Sequence, residues 1–338
     1  METPARERLG IVLSTVADAD IAEFLEFGRL AEALGYDAVL VSEGRGDALA
    51  ASQAIAAVTS RVLVGSNIAN IYYRHPFLCA ATARTVSDLS GGRLVLGLGM
   101  SHRQMLASLG IDMGDARARL REYVDYVRRA LAGEIRRGLL SSLPSRHPVP
   151  IYVAGNTVES AAVAGALGDG LMPYVTPRSH LPVLLDAARA AASGAGRDPA
   201  AFRCCLSIPT FVSDDEDAAR SAARYNLAYF AQLPNYRRQW HRAGFGAAMG
   251  AVKAALERGQ RRDAARHIPD ELVDEVCVFG TPEGCRARLA AFRAAGVDLP
   301  LLAISPVNEG RDSATRAALR ALAPLHGASP AEPGRHGG

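Results

Sequence analysis

The sequence predicts an α/β fold in which a parallel sheet closes into a (β/α)8 barrel, with an insertion before the last βα units. Three observations lead to this fold class. Short apolar runs alternate with amphipathic helical segments along most of the 338 residues. Eight of these runs are nearly uninterrupted, as expected for strands that are covered on both faces. The chain is 49% hydrophobic, so it can bury one large core.

The predicted strands follow one another with helical segments between them. They span residues 9–14, 38–42, 62–66, 94–99, 150–155, 169–173, 204–212 and 299–305. Residues that favour helix starts support the assignment. Pro76 suits a first helical turn, and Thr281 followed by Pro282 and Glu283 is typical of a cap, a first-turn proline and a favourable acid. Eight strands with this spacing fit a single barrel.

One barrel domain is expected over residues 8–325, between a flexible amino terminus (1–7) and a disordered tail rich in Gly and Pro (326–338). An irregular segment, about 233–275, interrupts the barrel and holds the chain's one tryptophan, Trp240. It also carries a basic patch, which consists of Arg237, Arg238, Arg242, Lys253, Arg258, Arg261, Arg262 and Arg266. This patch is either a solvated face or part of a cover whose arginines meet an anionic group.

Composition excludes several classes of protein. A net charge of +3 gives no nucleic-acid footprint, and no apolar run reaches the roughly 18 residues of a membrane span. The amino terminus lacks the apolar stretch of a signal peptide, so a cytoplasmic location is expected. The cysteines show neither CxxC nor Cys/His ligand spacing, which predicts buried side chains and no metal site; they are Cys79, Cys204, Cys205, Cys277 and Cys285.

The stretch SGGRLVLGLGMSH (90–102) tests the competing doubly wound fold. Counted from Gly97 and Gly99, the third position of a GxGxxG fingerprint is His102, so the dinucleotide pattern fails. On the barrel interpretation the two glycines end the fourth strand. Polar residues then follow the carboxyl ends of the strands, where barrel active sites lie. These residues include few acids and no paired carboxylates, which disfavours a glycosidase.

Several motifs carry a family resemblance. They are GYDAVLVSEG (35–44), RVLVGSNIANIYYRHP (61–76), SDLSGGRLVLGLGMSH (87–102), PIYVAG (150–155) with ALGDGLMPY (166–174), and FGTPEGCRARLAAFRAAGVDLPLL (279–302). Together they resemble the luciferase-like flavin-dependent oxidoreductases, most closely the branch that uses the deazaflavin coenzyme F-420. The resemblance implies a TIM barrel of the bacterial luciferase-like type, hydride chemistry on a small-molecule substrate, and a homodimer. Gly44 stands where bacterial luciferases commonly carry a histidine, which disfavours oxygen activation.

The resemblance also assigns cofactor-binding residues. It implies a non-prolyl cis peptide within Ser66, Asn67 and Ile68, a bulge that presses on the back of the coenzyme ring; the alternative is an ordinary strand end in which Asn67 and Asn70 cap backbone groups. The loop after the fifth strand is expected to bind phosphate through free N–H groups, or else to be a turn with a cap. The full predicted set is Ser66, Asn67, Ile68, Asn70, Gly99, Ser101, Gly155, Asn156, Thr157 and Tyr174.

Two residues are the candidates for proton transfer. His102 follows a barrel strand and imidazole titrates near neutrality, although a loop histidine is more often exposed or a helix cap. Glu43 ends the second strand and is predicted to bond the coenzyme or to act as an acid. Its alternative is a salt bridge with an arginine such as Arg45 or Arg74.

Three functions follow from these features. The first is an oxidoreductase that transfers hydride between coenzyme F-420 and an activated alkene, imine, ketone or alcohol. The second is a monooxygenase that uses reduced FMN. The third is a non-catalytic ligand-binding or partner protein on the same scaffold. Intact loops after strands three, four and five favour an enzyme.

Overall fold

A computed structural model describes residues 7–15, 20–137 and 140–324. The strands are β1 Gly10–Ser14, β2 Ala38–Ser42, β3 Leu63–Asn70, β4 Leu94–Gly99, β5 Arg136–Arg137, β6 Leu140–Ser141, β7 Ile151–Ala154, β8 Gly170–Met172, β9 Arg203–Val212, β10 Val278–Gly280 and β11 Leu299–Ile304. The helices are α1 Ile21–Ala33, α2 Ala48–Val58, α3 Pro76–Ser90, α4 Arg103–Ser108, α5 Ala116–Leu131, α6 Val158–Leu167, α7 Leu181–Gly194, α8 Glu216–Phe230, α9 Pro234–Trp240, α10 Gly246–Glu257, α11 Arg261–Arg266, α12 Asp270–Val276, α13 Pro282–Ala294 and α14 Arg311–Ala321.

Eight parallel strands form a closed barrel, as the sequence predicts. Their order around the barrel is β1, β2, β3, β4, β7, β8, β9, β11 and back to β1. The closing pairs include Gly170 with Arg203 and Gly10 with Leu301. These are the eight predicted strands, and short apolar runs identified them because both faces of each strand are covered.

The structure adds strands that the sequence did not predict. Strand β10 pairs with the carboxyl end of β9, from Val278 opposite Thr210 to Gly280 opposite Val212. Strands β5 and β6 form a two-residue antiparallel hairpin. Such short strands carry no readable periodicity. The predicted end of the third strand at residue 66 is wrong, since β3 continues to Asn70 across a register shift between Ser66 and Ala69.

The core lies between the barrel and its helices, with a second cluster beneath the insertion. Helices start as the sequence indicates: the Thr281 hydroxyl accepts from the amide of Gly284 at the start of α13. The second cluster contains Trp240, which is fully buried, together with Phe211 and Phe279. All five cysteines are free and buried, as predicted.

The segment predicted as an insertion holds helices α9 to α12, with a π-helical turn at His241–Phe245. Helices α8 to α12 thus separate β9 from β10. Residues 1–6 and 325–338, which include most of the two predicted tails, lie outside the described residues. Within the ranges that the structure describes, no helix is long and apolar enough to cross a membrane.

Candidate active site

The predicted site residues lie at one end of the barrel, because parallel strands bring their carboxyl ends to a common rim. Strand β3 itself contributes four of them, the end of β4 contributes Gly99, and the loops after β2, β4, β7 and β8 contribute the others. By strand they are Glu43 after β2; Ser66, Asn67, Ile68 and Asn70 in β3; Gly99, Ser101 and His102 at and after β4; Gly155, Asn156 and Thr157 after β7; and Tyr174 after β8.

A bulge in β3 shapes the rim, and it explains the glycines of β4. The peptide bond between Asn67 and Ile68 is cis, as the family resemblance implies. A Cβ at Gly99 would lie 2.7 Å from the Ile68 side chain, and one at Gly97 would lie 2.2 Å from the carbonyl oxygen of Ser66. The buried Ser66 hydroxyl donates to the carbonyl of Gly97 at 2.8 Å. The glycines therefore allow β3 to approach β4 closely. They do not form a dinucleotide-binding loop.

Glu43 binds an arginine side chain and two backbone amides of the protein. Its side chain is only 3% exposed and is ion-paired with Arg74. It also accepts from the backbone amides of Asn70 at 2.5 Å and Ala48 at 3.3 Å. Burial opposes the charge of Arg74, but the hydrogen bond to Glu43 and the negative charges of Glu43 and Asp47 together outweigh it and raise the pKa of the guanidinium. The contacts favour the salt-bridge alternative, in which Glu43 positions the end of β3.

Asn70 presents an unsatisfied donor at the rim. The residue is 3% exposed, and its Oδ1 accepts from the amide of Tyr72 at 3.0 Å. Its Nδ2 is buried and has no hydrogen-bond partner among the described residues. A buried unpaired donor costs about 1–3 kcal/mol, so such groups are uncommon unless a ligand uses them. The amide is therefore suited to an acceptor atom of a bound cofactor.

His102 is not exposed, and although it stands at the N-cap position of α4 its side chain does not cap the helix. It is half-buried at the residue preceding α4, and its ring makes no capping bond to that helix. Its Nε2 lies 3.5 Å from the Tyr236 hydroxyl, and the two rings meet edge to face with centroids 5.4 Å apart. Burial lowers the pKa of the imidazole, against a hydrogen bond with Asn235 that raises it. A neutral imidazole able to accept a proton results.

Two loops at the rim have strained backbone. Ser101 adopts a φ of 61° directly after β4, and Val175 adopts a φ of 44° in the loop after β8. A positive φ is unfavourable for residues other than glycine, and most of all for a β-branched residue such as valine. Strain of this kind concentrates at functional sites, where the surrounding structure enforces it. Both outliers lie beside predicted site residues.

The predicted phosphate loop is a capped helix start. The Thr157 hydroxyl accepts from the amide of Ser160 at 3.2 Å, while the Ser160 hydroxyl accepts from the amide of Thr157 at 2.9 Å. Asn156 Oδ1 accepts from the amide of Tyr174 at 2.9 Å. The pKa of the Glu159 carboxyl is lowered by hydrogen bonds from the backbone amide of Glu159 and from the Thr157 side chain. The positive charge of Arg242 lowers it further. The free N–H groups expected here are thus partly occupied, as in the turn-with-cap alternative.

An aromatic wall at the rim is formed by Tyr174 of the loop after β8, Phe230 at the end of α8 and Tyr236 of α9. The Tyr174 ring meets Phe230 at a centroid distance of 5.1 Å and Tyr236 at 6.3 Å, and Phe230 meets Tyr236 at 5.5 Å. Sequence reasoning named Tyr174 but missed Phe230, Asn235 and Tyr236. The one available signal was the aromatic and amide content of LPNYRRQW (233–240). No periodicity in the sequence indicates that this segment lies at the barrel rim.

The basic patch divides among different partners. Arg237 donates to the carbonyl of Ala231, and Arg258 pairs with Asp263 at 3.2 Å. Arg261 stacks over Tyr225 at 4.1 Å. Arg242 lies 3.9 Å from Glu159 in the first turn of α6. Of these four arginines, Arg242 alone is placed against the predicted phosphate loop.

Comparisons with known proteins agree with the family resemblance and with the fold. The family profile described as luciferase-like monooxygenase matches residues 3–299. A provisionally assigned coenzyme F-420-dependent oxidoreductase of Mycobacterium tuberculosis is 29% identical, over 91% of this chain and 98% of that protein. The F-420-dependent tetrahydromethanopterin reductase from Methanopyrus kandleri superposes with a TM-score of 0.78 at 17% identity, covering 94% of this chain and 98% of its own. A type II Baeyer-Villiger monooxygenase from Pseudomonas putida, in complex with FMN, gives 0.66 at 17% identity, covering 94% and 97%.

Proposed function

The chain belongs to the luciferase-like monooxygenase family, an oxidoreductase family, and we propose that it transfers hydride between coenzyme F-420 and a small organic substrate. The observation that carries the proposal is the unpartnered Nδ2 of Asn70 at the end of β3, at the same rim as the half-buried imidazole of His102. A rim that offers one donor and one proton carrier suits hydride transfer, which needs a held ring and one proton.

The residues present fit a deazaflavin. Asn70 Nδ2 would donate to the ring system, and Asn67 and Ile68 of the bulge would support its face. Gly99 and Ser101 would shape the edge of the same cavity. At the phosphate end, Gly155, Asn156 and Thr157 would lie beside the anion, with Arg242 supplying charge once Glu159 turns away. When bound, the coenzyme supplies a two-electron hydride carrier.

The chain's own side chains supply the rest of the chemistry. His102 would exchange the proton that accompanies the hydride, since its lowered pKa keeps a neutral form available near neutrality. Glu43, paired with Arg74, would bind the backbone amide of Asn70 and so hold the bulge of β3 in place. Tyr174 and the aromatic wall would exclude water from the reacting face.

Reduced-FMN monooxygenase chemistry is the second candidate. The similarity in fold to an FMN-bound monooxygenase favours it, whereas Gly44 after the second strand disfavours it, because luciferases commonly carry a histidine there. A non-catalytic scaffold is the third candidate. The homodimer and the cytoplasmic location remain predictions.

Titration of the purified protein with F-420 and, separately, with FMN tests the proposal. Quenching of cofactor fluorescence at low salt should show tight binding of F-420 alone. Preference for FMN would overturn the proposal in favour of the monooxygenase, and binding of neither would favour the scaffold. Asn70→Asp keeps the acceptor for Tyr72 but removes the Nδ2 donor, so F-420 affinity should fall about tenfold, equivalent to about 1.4 kcal/mol. Asn226→Asp on α8, the same chemical change away from the predicted site residues, should leave it unaltered.

A further inference from the structure

Helix α9 of the insertion is fastened to the barrel rim by buried polar contacts. Trp240 Nε1 donates to the carbonyl of Val175 at 2.9 Å, and Gln239 Nε2 donates to the Thr176 hydroxyl at 2.7 Å. Trp240 is fully buried and Gln239 is 2% exposed. Val175 is the residue with a φ of 44°, so the strained loop after β8 presents its carbonyl to the helix. These bonds fix where α9 stands relative to the rim.

The opposite end of α9 reaches His102. Tyr236 is 4% exposed, and its hydroxyl lies 3.5 Å from His102 Nε2. The side chain of Asn235, the preceding residue, lies near the same imidazole; burial lowers the pKa of that ring, and Asn235 acts against this shift. The Tyr236 ring also meets Tyr174 and Phe230 edge to face, which leaves it little freedom to rotate. Two adjacent side chains of one short helix therefore contact one ring.

The helix that follows His102 gives its ring no comparable support. Helix α4 has six residues, and the His102 side chain makes no capping bond to it. The backbone just before the ring, at Ser101, is in the left-handed region. An imidazole in this position can rotate and exchange tautomers unless partners fix it, since the bond made by one ring nitrogen decides which nitrogen carries the proton.

We propose that Asn235 and Tyr236 are positioning residues that fix the ring orientation and the tautomer of His102, so that the insertion completes the proton-transfer site. This inference rests on the proposed role of His102 in hydride transfer. It gives the insertion a function beyond covering the site. Because α9 is hydrogen-bonded to the loop after β8, the position of His102 depends on contacts between the loop after β4, helix α9 and the loop after β8.

Nitrogen-15 NMR of the imidazole side chains, recorded on the full chain without cofactor, tests the inference. The chain has 8 histidines, and His102→Gln assigns the signal of interest by its loss. Tyr236→Phe removes only the hydroxyl, and Asn235→Ala removes only the amide. We expect each change to move the two nitrogen shifts of His102 toward the averaged values of a ring that exchanges between tautomers, while the other seven histidines keep their shifts.

Tyr229→Phe is the matched control. Tyr229 meets Phe230 in the same aromatic group, with ring centroids 5.4 Å apart, and it is 46% exposed. Unchanged His102 shifts in both Asn235→Ala and Tyr236→Phe, or equal changes in Tyr229→Phe, would overturn the inference. If a variant unfolds, Asn235→Asp offers a second change of the same bond.

The same variants separate this inference from the proposed function. F-420 should bind Tyr236→Phe with the affinity of the unaltered protein, since the hydroxyl contacts His102 and not the residues assigned to the cofactor. Failure of the unaltered protein to bind F-420 would overturn the proposed function, whereas the NMR result would still decide whether α9 orients His102. A fall in F-420 affinity with unchanged His102 shifts would instead make Tyr236 a cofactor contact and contradict a positioning role.

Discussion

The two ends of the barrel differ in how some of their polar side chains are used. At the amino-terminal end, three aspartates each bond the backbone amide of a neighbouring strand: Asp37 that of Leu9 at 2.9 Å, Asp169 that of Ile151 at 2.8 Å and Asp298 that of Cys204 at 2.7 Å. At the carboxyl-terminal end, buried atoms such as Asn70 Nδ2 and Gln239 Oε1 have no partner in the described chain.

The difference separates stability from function within one fold. Each of the three aspartates comes just before a strand, in GYDAVLV, GDGLMP and GVDLPLL, so the same device recurs around the lower rim. Charge-assisted bonds there satisfy strand ends that would otherwise lack partners. The carboxyl-terminal end, the upper rim, instead has one buried donor, Asn70 Nδ2, and one buried acceptor, Gln239 Oε1, without a partner among the described residues, and its backbone is strained at Ser101 and Val175. Such a rim is poor at stabilising the fold but ready to bind a ligand.

Gly97→Ala, which disturbs the contact between β3 and β4, should cause the largest loss of stability. The new Cβ would lie 2.2 Å from the backbone oxygen of Ser66, which cannot move without displacing β3. We expect a loss of about 3 kcal/mol or more in the free energy of unfolding, measured by urea denaturation. Gly250→Ala, at an exposed position of α10 with open space, should raise stability by about 0.5–1 kcal/mol. A small loss for Gly97→Ala would mean that β3 and β4 can separate.

Asp169→Ala should lower the stability of the amino-terminal end of the barrel without changing the candidate site at the carboxyl-terminal end. The carboxylate loses its bond to Ile151 and its pairs with Arg128 and Arg197. Because those pairs are about one-third exposed, the backbone bond dominates, and we expect a loss of about 2 kcal/mol in unfolding free energy. F-420 affinity of the folded protein should not change. Asp112→Ala, at a side chain 91% exposed, should alter neither quantity. Weaker F-420 binding in Asp169→Ala would contradict the separation.

Acid sensitivity should also come from the lower rim. Burial opposes ionisation of Glu32, but backbone amides of Arg61, Val62 and Ser60 outweigh it and lower the pKa to about 2. Its contribution to stability is present above the unfolded value of 4.5 and is lost as pH falls toward 2. Glu32→Gln should therefore flatten the pH dependence of unfolding between those values. An unchanged acid slope would show that other carboxylates dominate.

His102 should contribute a smaller pH dependence at the upper rim. Its folded pKa is lowered by burial, so below an unfolded value near 6.5 the unfolded state takes up more protons and stability falls. His102→Gln should remove part of the slope just below that pH. His267→Gln, at a side chain 41% exposed, serves as the control. Equal effects of the two changes would argue against a lowered pKa of His102.

Local sequence patterns predicted most of the elements. The barrel strands are apolar runs, and the start of α13 follows from a threonine followed by a proline, because cap chemistry acts within four residues. The rim location of His102 and Asn70 followed from the general rule that barrel sites lie at strand carboxyl ends. The bulge in β3 was implied by family resemblance, and periodicity alone ended that strand too early.

The sequence by itself therefore determined the barrel, its strand order along the chain and the rim on which the site residues stand. Only the tertiary structure decided their partners: Glu43 bonds Arg74, 31 residues away, and His102 meets Tyr236, 134 residues away. Periodicity and caps are local, so a single sequence can reveal them. Contacts between distant loops depend on how the closed barrel brings those loops together, and no local pattern carries that information.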